Sequence, residues 1–148
     1  VLFFSSFVKH LELFRAYFEA HGQQYSWISG DSSAAEREKA VISFEKESSI
    51  QAFLISIKAG GTGLNLTSAD YVFILDPWWN PFIEDQAIAR AHRIGQVRKV
   101  MAIKFITSGS IEEKIMNLQK KKSQLAADII ELDGGEVLSE KDIQYLLS

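Results

Sequence analysis

A chain of 148 residues, 47% apolar and 24% charged, has the length and make-up of one ordinary globular domain with a single core. It has no cysteine, which excludes disulfides, thiolate metal sites and cysteine nucleophiles. No apolar run reaches the roughly 20 residues a membrane helix needs, and a net charge of −3 means that any basic surface for nucleic acid has to be local.

Val1–Phe4 is a short apolar run of the kind found in strands covered on both faces. It lacks the layout of a signal peptide, and the sequence is expected to begin inside a longer protein. Ser5 and Ser6 then offer caps for a helix in which Val8, Leu11, Phe14, Tyr17 and Phe18 recur at helical spacing until Gly22. Tyr25–Ile28 reads as a second strand, followed by a turn at Ser29-Gly30-Asp31. Ser33 and Glu36 have the spacing of a capping box for a helix to about Phe44. Residues 52–56, 71–75 and 100–106 read as the third, fourth and fifth strands, with a helix over about 82–93 between the last two. Strands alternating with helices at this rhythm predict an α/β fold with a parallel sheet between helices. Loops at the carboxyl ends of such strands form the ligand edge. Three segments belong there: Ser29–Asp31, Ser56–Gly63 and Asp76–Pro81.

After Thr107 a second capping pattern, Ser110 to Glu113, opens a long helix with Ile111, Ile115, Leu118, Leu125, Ile129 and Leu132 at heptad spacing. Lys122 interrupts that face, Gly134-Gly135 ends the helix, and Ser139 begins a short last one. The lysines at 120–122 read as a solvated face.

Chemistry concentrates between Ser56 and Gln96. Gln86, Arg90 and Arg93 step by four and three, a stripe about 60° wide on a helix, beside an apolar face of Ile83, Ala87, Ala91 and Ile94. The arginines are expected to project, where two guanidinium forks could clamp a phosphoryl group. The plainer alternative pairs them with Glu84 or Asp85. Ala59-Gly60-Gly61-Thr62-Gly63 could bring backbone N–H groups to an anion or simply make a tight turn. It is no Walker A loop, because the chain has no Gly-Lys dipeptide, and it has no Asp-Glu pair of Walker B form either. A dinucleotide site would want its glycines after the first strand rather than the third. Asp76-Pro77-Trp78-Trp79-Asn80-Pro81 is stiffened by both of the chain's prolines. One of its indoles is expected in the core and the other at a partner. His92 reads as structural, and Arg37 as a brace for the Gly30 turn.

The run from Ala59 to Gln96 resembles the second ATPase lobe of the Swi/Snf family, superfamily 2 helicase-like translocases on double-stranded DNA. Residues 1–7 resemble motif IV, Gly30 to Arg37 the Gly…Arg signature that follows, Ser56–Leu66 motif V and Gln86–Gln96 motif VI. The segment 103–115 resembles the lead into a C-terminal brace helix. The resemblance implies a RecA-like three-layer sandwich with a mainly parallel sheet, a lobe over 1–109 and brace helices over 110–148.

It also implies roles. Arg90 and Arg93 match arginine fingers on the ATP γ-phosphate; Gly63, Asn65 and Gln86 lie on the nucleotide side. Ser5, Ser6, Gly30, Ser56, Lys58 and Trp79 match positions against DNA, with Ser6 standing where many relatives have Gln. ATP and Mg2+ would be held mainly by an N-terminal lobe outside this sequence, so the fragment alone would be inactive. The implied partners are double-stranded DNA, that N-terminal lobe and a DNA-bound protein target, with no membrane. The short, insertion-free lobe suggests a bacterial source and a cytoplasmic, nucleoid-associated place; a eukaryotic source would put it in the nucleus. A binding module that kept the fold and lost hydrolysis is the alternative, and intact Arg90 and Arg93 weigh against it.

Overall fold

A computed structural model describes residues 1–60, 63–128 and 140–147. Five strands form one sheet: β1 (Leu2–Ser5), β2 (Tyr25–Ile28), β3 (Ala52–Ser56), β4 (Tyr71–Ile74) and β5 (Met101–Lys104). Their order is β2-β3-β1-β4-β5 and every pairing is parallel. The β3 strand is buried along its whole length, and its continuous apolar run is what a strand covered on both faces requires.

The helices are α1 (Val8–Ala20), α2 (Ala34–Lys46), the single turn α3 (Ile57–Gly60), α4 (Pro81–Ile88), α5 (Ile111–Asp128) and α6 (Glu140–Leu147). Alternation along the strands divides the core. Leu2, Phe4, Phe53, Ile55, Val72 and Ile74 point to one face with Phe44 of α2 and Ala87 of α4. Phe3, Leu54, Phe73 and Leu75 point to the other, where Leu11 and Phe18 of α1 cover them. Complete burial of a side chain such as Phe53 contributes about 2–3 kcal/mol.

Local chemistry sets the helix ends. Ser33 and Glu36 exchange the two bonds of a capping box on α2, with Glu36 N–H to Ser33 Oγ at 3.3 Å and Ser33 N–H to Glu36 Oε2 at 2.7 Å. Helix α1 closes with a Schellman pair, Gln23 N–H to Phe18 O at 2.9 Å and Gly22 N–H to Glu19 O at 3.2 Å. That closure needs the left-handed backbone of Gly22, φ +63°. Its start departs from expectation. The N-cap is Phe7 with no side-chain cap bond; the Ser5 hydroxyl, two residues earlier, donates to the Asp76 carboxylate and accepts from Phe7 N–H at 3.0 Å. Asn80 opens α4 by accepting from Phe82 N–H at 3.1 Å, with Pro81 in the first turn. Ser110 Oγ accepts from Glu112 N–H, and Glu112 and Glu113 accept from Thr107 and Gly109 N–H, so acidic caps fix the start of α5. The expected positions Gly61, Thr62, Ile129, Leu132, Gly134, Gly135 and Ser139 lie outside the described residues.

Candidate functional site

Register gathers the site. Phe4 lies beside Ile55 and Ile74, and Ile28 beside Ile55, so the segments that follow these strands leave at one edge. The path of the chain reverses around β1: α1 covers the face opposite the one that carries α2 and α4. A strand whose neighbours send their connections to the opposite face marks the crevice where open parallel sheets place ligands. A cavity of about 510 Å³ lies elsewhere, near Val1, Gly22, Gln51 and Ala52 at the starts of the strands, and belongs to no part of this edge.

At the crevice, Asp76 is 5% exposed and holds three elements together. Its carboxylate accepts from Ser5 Oγ and, at 2.8 Å, from Ser6 N–H, and lies 3.5 Å from His10 Nδ1 on α1. Ser5 and Ser56 are buried, so their hydroxyls shape this edge from beneath rather than from its surface. The Ser6 hydroxyl is buried without a hydrogen-bond partner. Gly30 and Lys58 are exposed. Arg37 donates to the carbonyls of Ser32 (2.9 Å) and Gly30 (3.3 Å), which makes it the expected brace of that turn. Asp76 and His10 were not singled out from sequence; an acid immediately after a buried strand and before Pro77 was the available signal for Asp76.

The arginine segment differs from the expected stripe. Helix α4 ends at Ile88, and shorter turns follow, Arg90 N–H to Ala87 O and Ala91 N–H to Ile88 O, both at 3.1 Å. Gly95 at φ +105° turns the chain away. Gln86 is therefore on the helix, while Arg90 and Arg93 lie beyond it. The reason is tertiary: Arg90 O accepts from Leu66 N–H at 3.0 Å, which takes that carbonyl out of a helical ladder. Arg90 is 5% exposed rather than projecting; Arg93 and Gln86 are exposed. Of the expected apolar face, Ala87 and Ala91 are buried and Ile94 is fully exposed. Arg93 Nη1 donates to the Gly63 carbonyl at 3.3 Å, so the motif V and motif VI segments meet. Gly63 holds φ +68°, a backbone that side-chain-bearing residues rarely adopt.

The plainer pairing of the arginines with Glu84 gives way to another. Glu84 is buried and lies against Lys104 of β5 instead. Asp85 is exposed. Burial, and secondarily the charge of Arg93, push the Arg90 guanidinium below its ordinary range. Trp78 and Trp79 are both half-buried, rings 6.4 Å apart and tilted by 41°, so neither is the fully buried core member expected. His92 is exposed. Among the described residues no group of three or more His, Asp or Glu side chains comes together as a metal site. No described helix is long and apolar enough to cross a membrane.

Comparison with known proteins gives a consistent result. Residues 1–95 match the helicase conserved C-terminal domain family. An uncharacterized ATP-dependent helicase of Schizosaccharomyces pombe is 49% identical over 125 residues, covering 84% of this chain and 12% of that protein. Chromatin remodeling factor mit1 of the same yeast is 43% identical over 148 residues, 99% of this chain and 10% of mit1. The chain thus spans about a tenth of these relatives. The crystal structure of the C-terminal part of the Fun30 ATPase domain superposes with a TM-score of 0.81 at 33% identity, over 98% of this chain and 45% of that one. The relatives include fungal, plant and human proteins, and the expected bacterial source finds no support among them.

Proposed function

The chain belongs to the helicase conserved C-terminal domain family, homologous to the Swi/Snf superfamily 2 ATPases and with their RecA-like fold, and on that premise we propose that it is the second lobe of an ATP-dependent translocase on double-stranded DNA. In this reading residues 1–109 form the lobe and 110–148 the brace. ATP and Mg2+ sit on a partner lobe of the same protein. Arg93, with Arg90 behind it, donates N–H groups to the oxygens of the γ-phosphoryl group as negative charge develops there. Gln86, Gly63 and Asn65 border the nucleotide. Lys58, Gly30 and Trp79 face the DNA backbone, supported from beneath by Ser5, Ser6 and Ser56. Such contacts position a duplex without reading its bases. A chromatin-bound protein is the object moved, and the nucleus is the compartment.

The observation that carries the reading is the meeting of Arg93 with Gly63 at the carboxyl edge of the sheet. That contact sets an exposed guanidinium beside the loop that follows β3 and α3. ATP turnover by the full-length protein with duplex DNA, with single-stranded DNA and with none tests it. Duplex DNA is expected to stimulate turnover, and the 148-residue chain alone to turn over nothing. A full-length protein that binds duplex DNA yet hydrolyses no ATP under any of these conditions would replace the translocase with a binding module.

A further inference from the structure

Glu84 has no place among the residues assigned above, yet it is one of the largest completely buried side chains in the protein, at 0% exposure. A buried carboxylate is costly unless every oxygen is engaged. Here Oε1 accepts from Trp78 N–H at 2.5 Å and from Gln119 Nε2 at 2.7 Å. Oε2 lies 2.5 Å from the Lys104 ammonium. The Gln119 amide also donates to the Trp78 carbonyl, so the backbone of Trp78 is held on both its N–H and its C=O. Gln119 belongs to α5 and is 4% exposed. Lys104 ends β5, and Glu84 sits in the middle of α4, between the tryptophan loop and the turn that carries Arg90 and Arg93.

We propose that this cluster locks the tryptophan loop to the arginine-bearing segment, with Gln119 the positioning residue through which α5 sets the coupling of DNA contact to ATP turnover. The inference rests on the translocase reading. Apolar side chains in the same space would leave the Trp78 N–H and C=O without these partners; the ionic, hydrogen-bonded set satisfies both and fixes the direction of the Trp78 peptide. A displacement of the loop by DNA is then carried along α4 toward Arg93, provided α5 keeps its amide in place.

The test uses the full-length protein carrying Gln119→Met, which keeps the side-chain length and loses both N–H donors. With the bonds to Trp78 O and to Glu84 Oε1 removed, the maximal DNA-stimulated turnover is expected to fall about tenfold. The DNA concentration at half-stimulation should stay within about twofold, because no residue facing DNA has changed. A merely structural amide would lower the stimulated and DNA-free rates by the same factor, and that proportional loss overturns the proposal. So does an unchanged maximal rate in a folded variant. Should Gln119→Met fail to fold, Glu84→Gln serves. It keeps shape and an acceptor for Trp78 N–H while losing the charge opposite Lys104, and the same split between maximal rate and half-stimulation is expected at a smaller size. Arg93→Ala in parallel separates the two failures. If it retains turnover, the translocase reading falls; if it loses turnover while the Gln119 variant behaves as wild type, only the coupling proposal falls.

Discussion

Arg93→Ala and Arg90→Ala should separate chemistry from folding, because the two arginines occupy opposite environments. Arg93 is exposed, with a hydrogen bond of 3.3 Å to the Gly63 carbonyl. Its truncation should cost no more than about 0.5 kcal/mol of folding stability, the usual size for a surface substitution. If it neutralises charge on the transferring phosphoryl group, the loss in turnover is about 10³–10⁵-fold, or roughly 4–7 kcal/mol of transition-state stabilisation. Arg90 is 5% exposed and its carbonyl accepts from Leu66 N–H. Its truncation opens a gap beneath the site and should cost about 1–3 kcal/mol in folding as well as the rate. The assay is phosphate release by the full-length protein at saturating duplex DNA, with nucleotide binding and thermal melting measured on the same samples. Arg93→Lys, which keeps a charge without the planar fork, should recover only part of the loss. A folded Arg93→Ala protein that turns over ATP within tenfold of wild type would refute the finger assignment.

Trp79→Ala should lower the DNA-stimulated part of turnover by about tenfold, as an aromatic anchor at an interface does, with the melting temperature within a few degrees; a chain that simply unfolds would make Trp79 part of the core. Gly63→Ala places a side chain at φ +68° and should cost about 1 kcal/mol in urea unfolding, while also moving the carbonyl that receives Arg93, so turnover should fall with it. Equal stability of wild type and variant would show that the loop relaxes freely. The Glu36 carboxyl is held below its ordinary value of 4.5, first by the Ser33 N–H and then by the Ser33 hydroxyl. A depressed folded value means its contribution is complete above 4.5 and disappears as the pH falls through that lower value. Glu36→Gln, which removes the titrating carboxyl, should flatten the chain's stability–pH curve in that acid range, and an unchanged slope there would rule out the linkage.

Periodicity carried the fold because every strand here lies in a parallel sheet, where apolar runs and crossover helices repeat with little ambiguity. The five strands lie where the runs are, but β1 is displaced by one residue to Leu2–Ser5, and Leu75, Val100, Phe105 and Ile106 fall outside the strands expected to hold them. The α2 box was legible because Ser33 and Glu36 are neighbours in sequence. The α1 start was not, since Ser5 turns its donor to Asp76, 71 positions away, and the helix begins after Phe7, whose side chain makes no cap bond. The arginine stripe failed for a related reason. Helical spacing continues through Arg93 in sequence, but Leu66 N–H captures the Arg90 carbonyl from outside the helix. Residue identity at the site was visible; burial was not, because whether a serine or arginine at a strand end faces solvent depends on the element packed over it.

The break in α4 has a consequence that a straight helix would lack. A helix ending in two projecting arginines would present them independently of the glycine loop. In this structure the loop and the arginine segment are joined at successive points. Leu66 N–H reaches Arg90 O at 3.0 Å, and Arg93 reaches Gly63 O at 3.3 Å. Gln96 Nε2 donates to Thr67 O at 3.0 Å and to Ala69 O at 2.7 Å, while Arg98 reaches Ser68 O and pairs with Asp70 at 3.4 Å. From Gly63 to Asp70, then, the backbone after β3 is held largely by residues 90–98. Two segments tied by that many bonds move as one body, since separating them would leave several backbone groups unsatisfied together. A displacement of the loop at Gly63 therefore reaches Arg93 without any hinge between them.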